Sequence, residues 1–169
     1  MEDIKISLEK FIPEPNKIAI AVLPTEILIS WLHDRGDFVS QKINGEVPKA
    51  HGTICEPADS WLYWNHDFRK QSLGIQRVRS PANVDQICIE VLASLLFDAL
   101  KEAYRWKLAY VHVWNPSPDS LEAMHYLKNK FDIEVESKEQ SSSIPSLRLR
   151  DSERARDLTL LFNEHYAWS

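Results

Sequence analysis

Glycine is scarce, at four in 169 residues, about a third of the usual frequency near 7%. Enzymes that cradle nucleotides use glycine where the backbone must come close to phosphates, so the shortage narrows the choice of phosphate loop. Cysteine is scarcer still. Cys55 and Cys88 are the only two, too few for the disulfide framework that staples small secreted domains. No run of about 18 or more apolar residues is present to span a bilayer. The start, Met1-Glu2-Asp3-Ile4-Lys5, lacks the basic segment and the roughly 7–15 apolar residues of an export signal. The expectation is a soluble, cytoplasmic protein with no membrane partner. Excess positive charge is missing too: 20 Lys and Arg stand against 25 Asp and Glu, a net charge of -5. A broad basic face that neutralises several phosphates is therefore not expected, which argues against a nucleic-acid partner.

What is present fits one α/β domain, since a chain of this length buries enough surface to build its own core. Lys17 to Leu23, short, β-branched and bounded by prolines, predicts a strand. Thr25 caps a predicted helix with Glu26 in its first turn and Ile27, Leu28, Trp31 and Leu32 as its apolar stripe, ended by Gly36. Asn44-Gly45 between Val39…Ile43 and Val47 predicts a hairpin over about 38–49, because both central residues of a type I′ turn need φ > 0. His51 to Asp67 reads as strand with a turn at Glu56-Pro57-Ala58-Asp59, and Leu73 to Arg79 as a further short strand.

The second half is more regular. Gln86 to Tyr104 carries apolar residues over well over half of a helical circumference, so this helix is packed between other elements and not laid on a surface. Leu108 to Trp114 reads as a largely buried strand stopped by Asn115-Pro116-Ser117-Pro118. Ser120 or Asp119 then caps a helix to about Lys130, with Leu121, Met124, Leu127 and Phe131 at helical spacing. Ile133 to Glu136 and Ser146 to Arg150 alternate as strands, and a final amphipathic helix is expected from about Ser152 to Tyr166. The strand, helix, strand order from residue 73 implies two parallel strands joined by a crossover helix.

This order resembles that of the GNAT acetyltransferase superfamily over roughly residues 73–150. The most specific local piece is Ser120-Leu121-Glu122-Ala123-Met124-His125-Tyr126-Leu127-Lys128-Asn129-Lys130-Phe131. It is similar to the family's helix pattern in the character of Ala123, Met124 and Phe131, with Ser120 at the usual Asn and Lys130 at the usual Gly. The resemblance implies acetyl-CoA or another acyl-CoA as co-substrate, with its pyrophosphate at the N-terminus of the central helix. It also implies Tyr126 as the acid for the leaving thiolate, and Arg77, Arg79, Ser80 and Asn83 around the phosphates. The loop that carries the glycines in that family is here Arg77-Val78-Arg79-Ser80-Pro81-Ala82-Asn83-Val84-Asp85-Gln86, with no glycine. Pro81 removes one backbone donor, Asp85 adds a negative charge to the first helical turn, and Arg77 and Arg79 are the side chains able to take over.

Other chemistry is thinly marked. His33, His51, His66, His112, His125 and His165 are scattered without metal-ligand spacing, so no metal is expected. His112 in an apolar strand reads as a core histidine and His125 as a solvated one. Cys88, in the apolar helix, reads as a small buried hydrophobe. Trp61-Leu62-Tyr63-Trp64 is the densest aromatic run; alternation puts Trp61 and Tyr63 on one face and Leu62 and Trp64 on the other. If the sheet is covered on one side only, an aromatic pair is exposed, and Trp61, Tyr63 and Trp64 become candidate anchors for a protein partner. If both faces are covered, the run is core. The sequence thus predicts a single α/β domain with a mixed, mostly antiparallel sheet, a buried central helix and an extra C-terminal helix. Its function is either acyl-CoA-dependent N-acyl transfer to an unknown acceptor, or that of a catalytically inactive protein-interaction or adaptor module, with a small molecule or a protein as partner.

Overall fold

The computed structural model describes residues 18–21, 25–80, 86–138 and 158–161. Its elements in chain order are β1 (Ile18–Ala21), α1 (Glu26–Asn44), β2 (Gly52–Cys55), a 3-10 turn (Glu56–Ala58), β3 (Ser60–Asp67), β4 (Ser72–Arg79), α2 (Gln86–Arg105), β5 (Tyr110–Val113), α3 (Pro118–Phe131) and β6 (Leu158–Leu161). They fall into two compact units, Met1–Ile29 with Lys138–Ser169, and Ser30–Ser137.

In the first unit β1 and β6 pair in parallel, from Ile18 opposite Leu158 to Ala21 opposite Leu161. β1 lies within the strand expected at 17–23. β6 corrects the sequence reading, which places these residues in a helix. A short apolar run such as Leu-Thr-Leu-Leu does not distinguish helix from strand by periodicity, and here the backbone partner decides. The rest of that expected helix, the expected strand at 146–150 and Asn83 lie outside the described residues.

α1 begins as expected, with the Leu28 N–H donating to Thr25 Oγ1 at 3.3 Å and Glu26 in the first turn. It does not stop at Gly36. A Cβ on Gly36 would sit 3.2 Å from the His66 carbonyl oxygen, so this glycine lets the helix pass close to β3. Nor is there a hairpin at 38–49. Asn44-Gly45 is the C-terminal end of α1, where Gly45 takes φ 76 and the Ser40 hydroxyl donates to the Glu46 carbonyl at 2.7 Å. The same preference of Asn-Gly for positive φ serves a helix end as well as a turn.

The second unit holds the sheet, in the order β2-β3-β4-β5. β2, β3 and β4 are antiparallel neighbours, and β5 joins β4 in parallel through the crossover that contains α2. This is the mixed, mostly antiparallel sheet with a parallel pair that the sequence predicts. β3 alternates without a break: Leu62 and Trp64 are buried, while Trp61 and Tyr63 are half-buried on the other face. α2 lies over the buried face. Its Ile89, Leu92, Leu96 and Ala99 form one core with Leu62, Trp64, Leu73 and Ile75 of the sheet and Ala123 and Leu127 of α3. Alanines at 93, 99, 103 and 123 keep side chains short where the helices meet.

Three boundaries differ from expectation. β5 is shorter than the stretch 108–114 and only half-buried, with Tyr110 exposed, because it ends the described sheet. α3 is capped by Ser117, whose Oγ accepts from the Ser120 N–H at 3.2 Å, with Pro118 in the first turn. Ser120, expected as a cap, is buried instead. Residues 132–138 carry no strand, so the one expected at 133–136 is absent there.

Candidate functional site

The site begins where the parallel ladder stops. β5 pairs with β4 only from Ser72 opposite Tyr110 to Ile75 opposite Val113, whereas β4 runs on to Arg79. On the other side of β4 the register with β3 jumps at the same place. Tyr63 faces Arg77 and Trp64 faces Ile75, so Gln76 has no residue opposite. This is a β-bulge, which bends the strand and increases its twist. Two independent features, a ladder end and a bulge, thus meet at Ile75 and Gln76. β5 in turn leaves the sheet through Asn115, which takes φ 47.

Gln76 is buried, at 5% exposure. Its Nε2 donates to the Gly74 carbonyl at 3.3 Å, and its Oε1 is buried with no hydrogen-bond partner. A buried acceptor without a donor carries a desolvation cost and so marks a place where a donor fits. Beside it, Gly74 is opposite His112; a Cβ there would lie 3.1 Å from both the Gln76 amide and the His112 ring. His112 is half-buried at this position and not a core residue.

Of the residues that the resemblance implies for phosphate, Arg77 and Arg79 follow the bulge along β4 and Ser80 comes directly after its end. The Arg77 guanidinium lies 5.9 Å from the centre of the Trp61 ring, and Arg79 is ion-paired with the exposed Asp59 carboxylate. Tyr126, half-buried on α3, accepts a hydrogen bond from Lys130 Nζ at 2.7 Å and donates to Glu90 Oε1 of α2 at 3.4 Å. That contact with Tyr126 raises the pKa of the exposed Lys130 ammonium. The aromatic run divides. Trp64 is only 2% exposed and donates from Nε1 to the Ala50 carbonyl at 3.0 Å, so it is core and not an available anchor. Trp61 and Tyr63, with ring centres 6.4 Å apart, keep part of their surface.

Sequence reasoning missed a histidine cluster, because its members come from three separate places. His33 of α1 stacks on His51 at 4.1 Å between ring centres, and His51 meets His66 of β3 edge-on at 5.8 Å. His66 Nε2 is 3.2 Å from Glu102 Oε1, which also accepts from Trp106 Nε1 at 2.8 Å. Burial drives the His66 pKa down to about 3, assisted by the charges that His51 and His33 would carry; this outweighs the attraction of the adjacent carboxylate. His66 is therefore a neutral imidazole donating from Nε2. His33 is lowered by burial and then by His51, with Asp37 and Asp34 opposing. His33 Nε2, His51 Nδ1 and His66 Nδ1 are buried without partners. Stacked rings do not converge on one point, and among the described residues no group of three or more His, Cys, Asp or Glu is disposed to hold a metal ion.

Cys88 is buried and Cys55 half-buried. Among the described residues no helix is long and apolar enough to cross a membrane.

The family model described as the LYC1 GNAT-like C-terminal domain covers residues 2–169. No curated protein and no solved structure matches the chain.

Proposed function

We propose, from the premise that this chain belongs to the LYC1 GNAT-like C-terminal domain family, that its four-stranded unit binds acyl-CoA between β4 and β5 and serves N-acyl transfer to an amine acceptor. One observation carries the reading: the parallel ladder ends at Ile75–Val113 where β4 bulges at Gln76. A parallel pair that separates halfway leaves room for an extended, amide-bearing arm to lie along β4, as an added strand would. Gln76 Oε1, an acceptor with no donor, suits an amide N–H of such an arm. Arg77, Arg79 and Ser80 come next along the chain towards α2, whose N-terminal end favours anionic groups. A phosphate there would compete with Asp59 for Arg79. Asn83 completes the proposed set from the sequence.

An acyl thioester, when bound, supplies an activated acyl carbon and a thiolate leaving group. The chain's contribution is position and a proton. Tyr126 Oη holds a proton now directed at Glu90 and accepts one hydrogen bond from Lys130. Rotation of the hydroxyl towards a leaving sulfur would make Tyr126 the general acid, with Lys130 stabilising the charge left on its oxygen. No metal is required by this set of residues.

A second reading, a GNAT-like domain without catalysis that acts through a protein partner, is favoured by the glycine-free loop Arg77–Gln86 and by the half-buried Trp61 and Tyr63 beside Arg77. Titration calorimetry with acetyl-CoA separates the two. Binding that Arg79→Ala weakens about ten- to a hundredfold, the usual worth of a charge-assisted hydrogen bond to phosphate, supports the first. Absence of heat with millimolar acetyl-CoA overturns it and leaves the interaction module.

A further inference from the structure

At the opposite end of the sheet from β5, a groove of about 680 Å³ runs between β2 with its 3-10 turn and one stripe of α2. β2 is the end strand of the described sheet. It is paired with β3 from Gly52 to Cys55 on one side, and its central residue, Ile54, is 62% exposed. Natural edge strands are usually blunted by lysine or an inward charge. β2, Gly-Thr-Ile-Cys, has neither. Across the groove, Ile87, 71% exposed, and Val91 continue the apolar floor one helical turn apart.

The rim is charged with one sign. Glu56, Glu90 and Asp98 line the groove, and among the described residues no Lys, Arg or His does. Asp98 is partly satisfied, accepting from Thr53 Oγ1 at 3.1 Å and from Lys101 Nζ at 2.8 Å. Glu90 receives a long contact from Tyr126 and feels the Lys130 ammonium beside that hydroxyl, so Glu56 carries the least compensated negative charge and Glu90 adds to it.

We propose that this groove docks an extended basic segment of a partner protein, which adds to the open edge of β2 and runs beside α2. A strand edge gives main-chain hydrogen bonds without regard to sequence, while alternate side chains read the wall. Lysine or arginine at the alternate positions that face α2 lays its aliphatic stem on Ile87 and Val91 and its charged head beside Glu90 and Glu56. An acidic or purely apolar segment lacks that second match. The four residues of β2 span roughly 13 Å, enough for four or five partner residues. The inference does not depend on acyl-CoA binding.

The test uses fluorescein-labelled acetyl-Lys-Thr-Lys-Thr-Lys-Thr-amide as probe, its Glu-for-Lys counterpart as control, and fluorescence anisotropy at low and raised salt. The Lys peptide binds, its affinity falls with salt, and the Glu peptide does not bind. Glu56→Lys with Glu90→Lys weakens binding at least tenfold; both residues are on the surface, and thermal melting followed by circular dichroism checks that the variant is folded. Amide shifts in the wild-type protein on adding the Lys peptide fall in Gly52–Cys55 and along α2, a readout that needs no variant. No binding of the Lys peptide at millimolar concentration, equal binding by the charge-reversed variant, or shifts that map elsewhere would each overturn the proposal.

Discussion

Acid should destabilise the second unit at a pH where carboxylates remain ionised, and His66 is the main cause. Its imidazole is held neutral, with a pKa near 3 against 6.5 for an ordinary histidine. Because the folded value is the lower one, the unfolded chain binds the proton more readily, and the stability present above pH 6.5 is lost as the pH falls towards 3. At pH 5 this difference removes about 2 kcal/mol, and in strong acid at most about 5 kcal/mol. Against a typical domain stability of about 5–15 kcal/mol the loss at pH 5 is readily seen. His33 is shifted in the same direction and adds to it. Glu102 Oε1 lies 3.2 Å from His66 Nε2.

Urea unfolding followed by tryptophan fluorescence at pH 7.5, 6.0 and 5.0 measures the effect. His66→Gln keeps an amide donor for Glu102 and cannot titrate. The wild type should lose stability over this range, and His66→Gln should lose about 2 kcal/mol less. If both proteins lose the same amount, His66 is not neutral in the fold, and the reading that burial outweighs its carboxylate partner is refuted.

Three further substitutions test the packing. Trp64→Ala removes a buried indole and its bond to the Ala50 carbonyl and should cost about 3–5 kcal/mol. Trp61→Ala on the half-buried face should cost clearly less in the same urea assay, and equal costs would make Trp61 core as well. Gly52→Ala would bring a Cβ to 2.6 Å from the Leu62 carbonyl oxygen, a backbone atom that cannot turn aside. The expected loss is about 1–3 kcal/mol, with faster hydrogen exchange confined to β2 and its partner residues on β3, and no change in either would mean that β2 is not held at this distance.

The elements legible in the sequence are those whose cause is local. α2 declared itself because apolar residues surround most of it, and β3 because Ser60 to Asp67 alternates at period 2, buried and half-buried in turn. Where one residue type serves several physical purposes, the neighbours in sequence did not decide between them. Gly36 has the look of a helix stop, yet it is mid-helix, where the His66 carbonyl approaches; Asn44-Gly45 has the look of a hairpin turn, yet the positive φ of Gly45 closes α1. The bulge at Gln76 had no trace in the residue types of Ser72-Leu73-Gly74-Ile75-Gln76, whose unbroken burial is a property of the fold. The histidine cluster had none, since His33, His51, His66 and Glu102 are joined only by the way α1, β3 and α2 pack. The glycine shortage is the feature whose meaning changed most. All four glycines lie outside Arg77–Gln86; Gly52 stands where the backbone comes too close for a Cβ, and Gly36 and Gly74 where a Cβ would be tight. Glycine in this chain serves close packing around β3 and β4, and if a phosphate lies beside α2 as proposed, the expected outcome is that Arg79→Ala weakens its binding.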